Sequence, residues 1–212
     1  MWVCRLVFKF CLIAVSLSGS SAKGQIGDEL NQIVKDSTLY LITVGNPSKT
    51  HLIAKQFSGR DTVSTHVGFV IRQEGKPVII HVTDIDPSRS ALRMEVLDNF
   101  LNASRFHYVS LWRVILSNDD FVKVRDRLDS TNGTHVTFDY DFDLTNGNSL
   151  YCSEFCAGVL NDVDIDGIGF VPEQRRLSEF YQKVLKRDVL SYYPVDFFQS
   201  SSRIVKLVEH FR

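Results

Sequence analysis

A predicted β-hairpin constrains the fold of this 212-residue chain more strongly than any other segment. Residues 67–72 and 77–83 are two apolar runs of strand length, and the sequence Gln-Glu-Gly-Lys between them suits a tight turn. A two-residue loop at the centre of that turn pairs Gln73 with Lys76. The two runs are therefore predicted to form neighbouring antiparallel strands.

Two histidines fall on this hairpin, His66 just before the first run and His81 in the second. Side chains alternate between the two faces of a strand, so this register places both histidines on one face, together with Gly68. Any even loop length keeps them there. Paired imidazoles near the ends of strands can act as a general base and its orienting partner. The alternative is two independent core or surface histidines.

The N-terminal segment has the composition of a signal peptide. Arg5 and Lys9 precede an apolar stretch over residues 10–17, and the small residues Ser20-Ser21-Ala22 suit cleavage after Ala22. The apolar stretch is shorter than the about 20 residues that a membrane span needs, although an uncleaved anchor is the alternative. The expected organisation is a signal peptide over residues 1–22 and a single domain over residues 23–212. The expected location is secreted or periplasmic.

Two cysteines remain after such cleavage, Cys152 and Cys156. A helical pair four residues apart directs its side chains poorly for a disulfide, so we expect free thiols. Cys152 stands where an irregular stretch becomes a predicted helix, and a helix N-terminus and a nearby imidazole both favour the reactive thiolate. Cys156, one turn further on, is predicted to be a core residue.

The remaining pattern mixes helices and strands without strict alternation, which predicts an α+β fold with an antiparallel sheet packed against helices. Apolar residues make up 44% of the chain and charged residues 23%, as in globular domains. The formal net charge of −1 gives no basis for nucleic-acid binding. Helices are predicted at residues 25–36, 49–57, 118–129, 151–161 and 177–186, strands at residues 39–44, 108–116 and 204–210, a strand leading into a helix at residues 94–102, and an extended acidic segment at residues 135–142.

Several motifs together resemble the YiiX-like hydrolases, which are NlpC-type, papain-like cysteine hydrolases with a circularly permuted order, histidine first and cysteine last. The resemblance spans residues 37–208, and its most specific element is Tyr-Cys-Ser-Glu. The motifs that carry it are His66-Val67-Gly68-Phe69-Val70, Val78-Ile79-Ile80-His81, Phe138-Asp139-Tyr140-Asp141-Phe142, Leu150-Tyr151-Cys152-Ser153-Glu154-Phe155 and Tyr192-Tyr193-Pro194-Val195-Asp196-Phe197.

This resemblance implies a permuted papain-like fold with the nucleophile at a helix N-terminus. It assigns the nucleophile to Cys152, the base to His66 and the third, polar member to His81, a position that varies in the superfamily. The backbone N–H of Cys152 would help to hold an oxyanion. Tyr151 is expected to line the site. Glu154 is expected to anchor the loop or contact substrate, and the alternative is a first-turn acid stabilised by the helix dipole.

The expected function is a secreted or periplasmic cysteine hydrolase that cleaves an amide bond (peptide, isopeptide or N-acyl) through a thiol acyl-enzyme, without cofactor or metal. Its partners would be small-molecule, peptide or lipid-acyl substrates, with no nucleic acid and no stable membrane span. Two alternatives remain: a lipid acyl ester or thioester hydrolase or acyltransferase on the same fold, and a catalytically silent binding module.

An acidic segment after the predicted cysteine helix resembles a calcium-binding loop. The acidic residues of the segment from Asp162 to Glu173 match the ligand spacing of an EF-hand calcium loop, but Phe170 and Pro172 occupy unusual positions in it. A solvated acidic loop is therefore the favoured interpretation, and calcium binding is the alternative. The matching residues are Asp162, Asp164, Asp166, Gly167 and Glu173.

Overall fold

A computed structural model describes residues 22–46, 57–84, 88–103 and 106–211. The predicted signal peptide, apart from Ala22, lies outside these described residues, as does nearly all of the predicted helix at residues 49–57. The cleavage, the location and the domain boundary at residue 22 therefore stay predictions.

Within the described ranges the chain forms ten strands and five α-helices. The strands are β1 (Leu39–Gly45), β2 (His66–Gln73), β3 (Lys76–Val82), β4 (Leu92–Val96), β5 (Tyr108–Val114), β6 (Thr137–Phe138), β7 (Ser149–Leu150), β8 (Glu173–Arg176), β9 (Val189–Tyr192) and β10 (Ile204–Phe211). The helices are α1 (Ala22–Ile33), α2 (Leu97–Ala103), α3 (Asn118–Ser130), α4 (Cys152–Asp162) and α5 (Glu179–Leu185), and a 3₁₀ helix covers Phe197–Ser200.

Six strands form the central sheet in the order β10-β5-β1-β2-β3-β4, and every neighbouring pair in it is antiparallel. Two smaller sheets pair β6 with β7 and β8 with β9. The α+β class with an antiparallel sheet and packed helices is thus confirmed. None of the helices in the described part of the chain is long and apolar enough to span a bilayer.

The predicted hairpin is present with the predicted register. Gln73 pairs with Lys76 and Phe69 pairs with Ile80. Both loop residues have positive φ, 50° at Glu74 and 76° at Gly75, which is the backbone of the turn that best matches the twist of two-residue hairpins. Only the second of these residues is a glycine, so the hydrophobic pattern of the flanking strands adds to the turn sequence in fixing this register.

Two apolar layers cover the sheet, one on each face. On one face, odd-numbered residues of β2 such as Val67 and Phe69 pack against α3 and α4. On the other face, Val70 of β2 and Ile79 of β3 pack against α1 and α2. Both faces are buried, and this explains why the central strands are apolar nearly throughout rather than alternating with polar residues.

The segment at residues 135–142 differs from its extended prediction, because only Thr137–Phe138 joins a strand. The buried carboxylate of Asp139 accepts hydrogen bonds from the backbone N–H groups of Asp141 at 2.8 Å and Asp143 at 2.6 Å. Such side-chain bonds to nearby backbone compete with sheet pairing and turn the chain. The predicted helix at 177–186 is also shorter, Glu179–Leu185.

Gly68 is required where β2 passes β3. A Cβ atom at this position would lie 2.8 Å from the Cβ of His81 and 3.1 Å from the carbonyl oxygen of Ile80. Gly68→Ala is therefore expected to lower the free energy of unfolding by about 1–3 kcal/mol, because the close contact involves a strand backbone that cannot move aside. Chemical denaturation of both proteins measures the change.

Gly158 in α4 provides the matched control, since a Cβ there meets nothing within 4 Å. Gly158→Ala should leave stability unchanged or raise it by up to about 1 kcal/mol, the usual gain for alanine in a helix. An equal effect of the two substitutions would show that the contact with His81 does not limit this position.

Candidate active site

Cys152 is the first residue of α4 and its sulfur approaches the start of β2. Tyr151 precedes it in an extended conformation, so the first turn of the helix directs its N–H groups toward the thiol. The sulfur accepts hydrogen bonds from the backbone N–H groups of Val67 and Ser153. Cys152 is 7% exposed and belongs to the apolar layer between α4 and the sheet.

Burial determines the protonation of this thiol. It raises the pKa of Cys152 to about 11, and the N–H groups of Val67 and Ser153 lower that pKa only in part. The N–H groups at the helix N-terminus therefore act in the expected direction, and burial outweighs them. A base that removes the proton during reaction is required for nucleophilic attack.

The second cysteine has a different environment. Cys156 is fully buried in the same apolar layer, which confirms its predicted core position, and both cysteines are free thiols. Burial, together with the charge of a nearby Cys152 thiolate, holds the pKa of Cys156 well above its usual value.

The two histidines form a directly hydrogen-bonded pair. Nε2 of His66 lies 2.8 Å from Nδ1 of His81, and the rings meet edge to face with their centroids 5.0 Å apart. His66 is 9% exposed and His81 is 2% exposed. Phe100 of α2 packs against both rings, at centroid distances of 6.4 Å and 5.2 Å. The prediction that they share a face of the hairpin is confirmed.

Glu95 extends this pair into a chain of three side chains, and the sequence did not single it out. Its Oε1 lies 3.0 Å from Nε2 of His81. This hydrogen bond from His81 lowers the pKa of Glu95. Glu95 lies opposite Ile79 in the β3–β4 ladder, while Arg93 lies opposite His81. The only signal was an acid within a short edge strand, a position where charge also serves to block aggregation.

The structure brings Cys152 to the strand that carries His66, but the two side chains approach it from different faces. The sulfur contacts the N–H of Val67, the residue after His66. His66 is in register with Val44, which packs beneath α1 and α2, whereas Cys152 packs in the layer of α3 and α4. The Cys152 thiol and the His66 imidazole can therefore come together only at the N-terminal end of β2, beyond the edge of the two apolar layers.

Tyr151 and Glu154 brace the N-terminus of α4. Oε2 of Glu154 accepts the backbone N–H of Tyr151 at 3.3 Å, one half of a capping box. Burial, with a smaller contribution from the charges of Asp139 and Asp143, raises the pKa of Glu154 to about 8. The hydroxyl of Tyr151 accepts the N–H of Tyr193 at 2.8 Å. Both residues thus anchor the loop, and direct contact with substrate stays a prediction.

The C-terminal motif joins the two halves of this region. Ser153 donates its hydroxyl to the carbonyl oxygen of Tyr193 at 2.7 Å, which fixes the motif to α4. The buried carboxylate of Asp196 accepts the backbone N–H groups of the loop at residues 59–61, which leads into β2. The segment that carries the resemblance at the C-terminus therefore positions both the thiol helix and the histidine strand.

A cavity of about 440 Å³ opens beside the first turns of α4. Its walls are mostly apolar, and the Glu154 side chain contributes to them. Arg127 and Asp162 also line it, and they form an ion pair at 2.9 Å. Apolar lining residues include Leu92, Val136, Leu144, Leu150, Phe155 and Val159.

The acidic loop after α4 does not fold as a calcium-binding helix pair. Asp162 bonds to Arg127, and Ile165 and Ile168 are buried beneath the loop. Glu173 begins strand β8 rather than a second helix. Across the described residues, no three His, Cys, Asp or Glu side chains lie together as metal ligands.

Comparison with known proteins supports the fold. No protein-family model and no curated protein matches this chain. The crystal structure of the metalloprotein YiiX from Escherichia coli O157:H7 superposes with a TM-score of 0.61, at 15% sequence identity, over 84% of this chain and 99% of that chain. At this identity the similarity shows the fold alone. The chain therefore has a YiiX-like fold, as the motifs indicated. The described residues of this chain do not form a ligand set for a metal.

Proposed function

We propose that this protein is a cysteine hydrolase of the permuted, NlpC-type papain-like kind, and that it cleaves an amide bond. The observation that carries the proposal is the 2.8 Å hydrogen bond between His66 and His81 at the start of β2. The backbone N–H of Val67, the residue after His66, contacts the Cys152 sulfur. The proposal assigns the nucleophile to Cys152, the base to His66 and the orienting group to His81.

In the proposed reaction, the Cys152 sulfur attacks the carbonyl carbon while His66 takes the thiol proton. Because burial raises the pKa of Cys152 to about 11, this proton transfer accompanies attack rather than preceding it. The N–H groups of the first turn of α4 stabilise the oxyanion. His66 then gives the proton to the leaving amine. Water, activated by His66, hydrolyses the thioester and restores the thiol.

A second substrate class is favoured by one observation, the largely apolar cavity beside α4. A lipid acyl ester or thioester would place its chain against such walls. The same nucleophile and base would then act as a hydrolase or an acyltransferase. Secretion or a periplasmic location, from the N-terminal sequence, is part of the same proposal. A binding module without turnover would keep the fold but would not use the thiol.

The test uses two electrophiles, a peptidyl chloromethyl ketone and an alkyl chloromethyl ketone of matched length, with iodoacetamide as the unspecific reagent. We expect one of the ketones to alkylate Cys152 at least about tenfold faster than it alkylates a small free thiol, after correction for the iodoacetamide rates, because a positioned base assists attack. The preferred ketone identifies the substrate class. Equal corrected rates for Cys152 and the free thiol would favour a silent binding module.

A further inference from the structure

The chain of hydrogen bonds through the two histidines ends on a carboxylate. Glu95 lies on the edge strand β4 and is 26% exposed, whereas His81 is almost completely buried between Glu95 and His66. The two links measure 3.0 Å and 2.8 Å, and each joins one nitrogen of His81 to a different partner. Both nitrogens of His81 are therefore engaged, which restricts where its proton can reside.

We propose that Glu95 is a positioning residue that fixes the tautomers of His81 and His66, so that Nδ1 of His66 is the nitrogen that takes up a proton. The further statement that this proton comes from Cys152 rests on the proposed function.

The assignment follows from what each group can donate. An ionised carboxylate only accepts hydrogen bonds, so Nε2 of His81 must carry the proton that points to Glu95. A neutral imidazole has one N–H, so Nδ1 of His81 is an acceptor. It must then receive the proton on Nε2 of His66, which leaves the lone pair of His66 on Nδ1. The lowered pKa of Glu95 agrees with an ionised carboxylate at neutral pH.

The surrounding packing holds these three side chains in one arrangement. The pairing of Glu95 with Ile79 places the carboxylate on the same face as His81 and diagonal to it, since His81 is two residues from Ile79 along β3. Phe100 covers both rings, and the absence of a side chain at Gly68 makes room for the Cβ of His81. A side chain anchored by a strand ladder orients a histidine more accurately than one on a loop.

The test compares Glu95→Gln with Glu74→Gln, an exposed acid on the hairpin turn. Nitrogen-15 NMR of the histidine rings is recorded at mildly alkaline pH, where free imidazoles are neutral, and variants at His66 and His81 assign the signals. We expect both rings of the wild type to carry the proton on Nε2. In Glu95→Gln an amide can accept or donate, so His81 should populate both tautomers. Glu74→Gln should match wild type.

The second measurement is the rate at which the faster chloromethyl ketone alkylates Cys152, located by mass spectrometry. Glu95→Gln should slow it about 10- to 100-fold, the size of effect found when a partner that orients a metal-bound histidine is removed, with Glu74→Gln unchanged. A proton on Nδ1 of either ring in the wild type, or tautomers unaltered in folded Glu95→Gln, would overturn the inference. Altered tautomers with an alkylation rate that neither Glu95→Gln nor His66→Ala changes would uphold it and reject the proposed function.

Discussion

Cys152→Ala is expected to abolish hydrolysis, with a loss of at least about 1000-fold in kcat/KM, because it removes the atom that forms the acyl intermediate. Ser153, the other nucleophilic side chain in the first turn of α4, is held in a hydrogen bond to the carbonyl oxygen of Tyr193. The sulfur packs in an apolar layer, so the same change should lower the free energy of unfolding by only about 1 kcal/mol. The measurement is turnover of the substrate class that the chloromethyl ketones select, together with a thermal melt of the purified variant.

Cys156→Ala is the matched control for this prediction. It removes the same atom from the same helix, one turn further on, and from the same apolar layer. Its effect on stability should be similar, while kcat/KM should stay within about twofold of wild type. Equal losses of activity in the two variants, with both folded, would show that the assignment of Cys152 as nucleophile is wrong.

The hairpin and its histidines were predictable because they depend on local rules. The period of two along β2 and β3, with a two-residue turn, determines which side chains share a face, and the observed pairing of Gln73 with Lys76 agrees. The cysteine at a helix start was predictable for a similar reason, since the change from an irregular to a helical pattern is read over a few residues.

The residues that the sequence did not reveal depend on contacts between distant segments. Glu95 is 14 residues from His81, and its register depends on how β4 pairs with β3 after a long connection. The raised pKa of Cys152 depends on how closely α4 packs on the sheet, and no pattern around the cysteine encodes that distance. The sequence therefore indicated the direction in which the helix N-terminus shifts this pKa, but not the opposing effect of burial.

Asp196 is a further residue whose role depends on contacts between distant segments of the chain. The resemblance named its motif, but only the structure shows that its buried carboxylate satisfies three consecutive N–H groups, those of Gly59, Arg60 and Asp61. Asp61 in turn accepts the N–H groups of Val63 and Ser64. Two carboxylates therefore hold the loop that precedes β2, and the first of them, Asp196, is 1% exposed.

Asp196→Ala is expected to lower the free energy of unfolding by about 3 kcal/mol, because it leaves three partly buried N–H groups without their charged acceptor. For a domain of this size that corresponds to a fall in Tm of about 6–12 °C. Asp188→Ala, which removes an exposed acid, should change stability by less than about 0.5 kcal/mol. Amide hydrogen exchange should quicken at residues 59–61 in Asp196→Ala alone. A Tm within about 2 °C of wild type, with exchange at those residues unchanged, would show that the loop reaches β2 without this carboxylate.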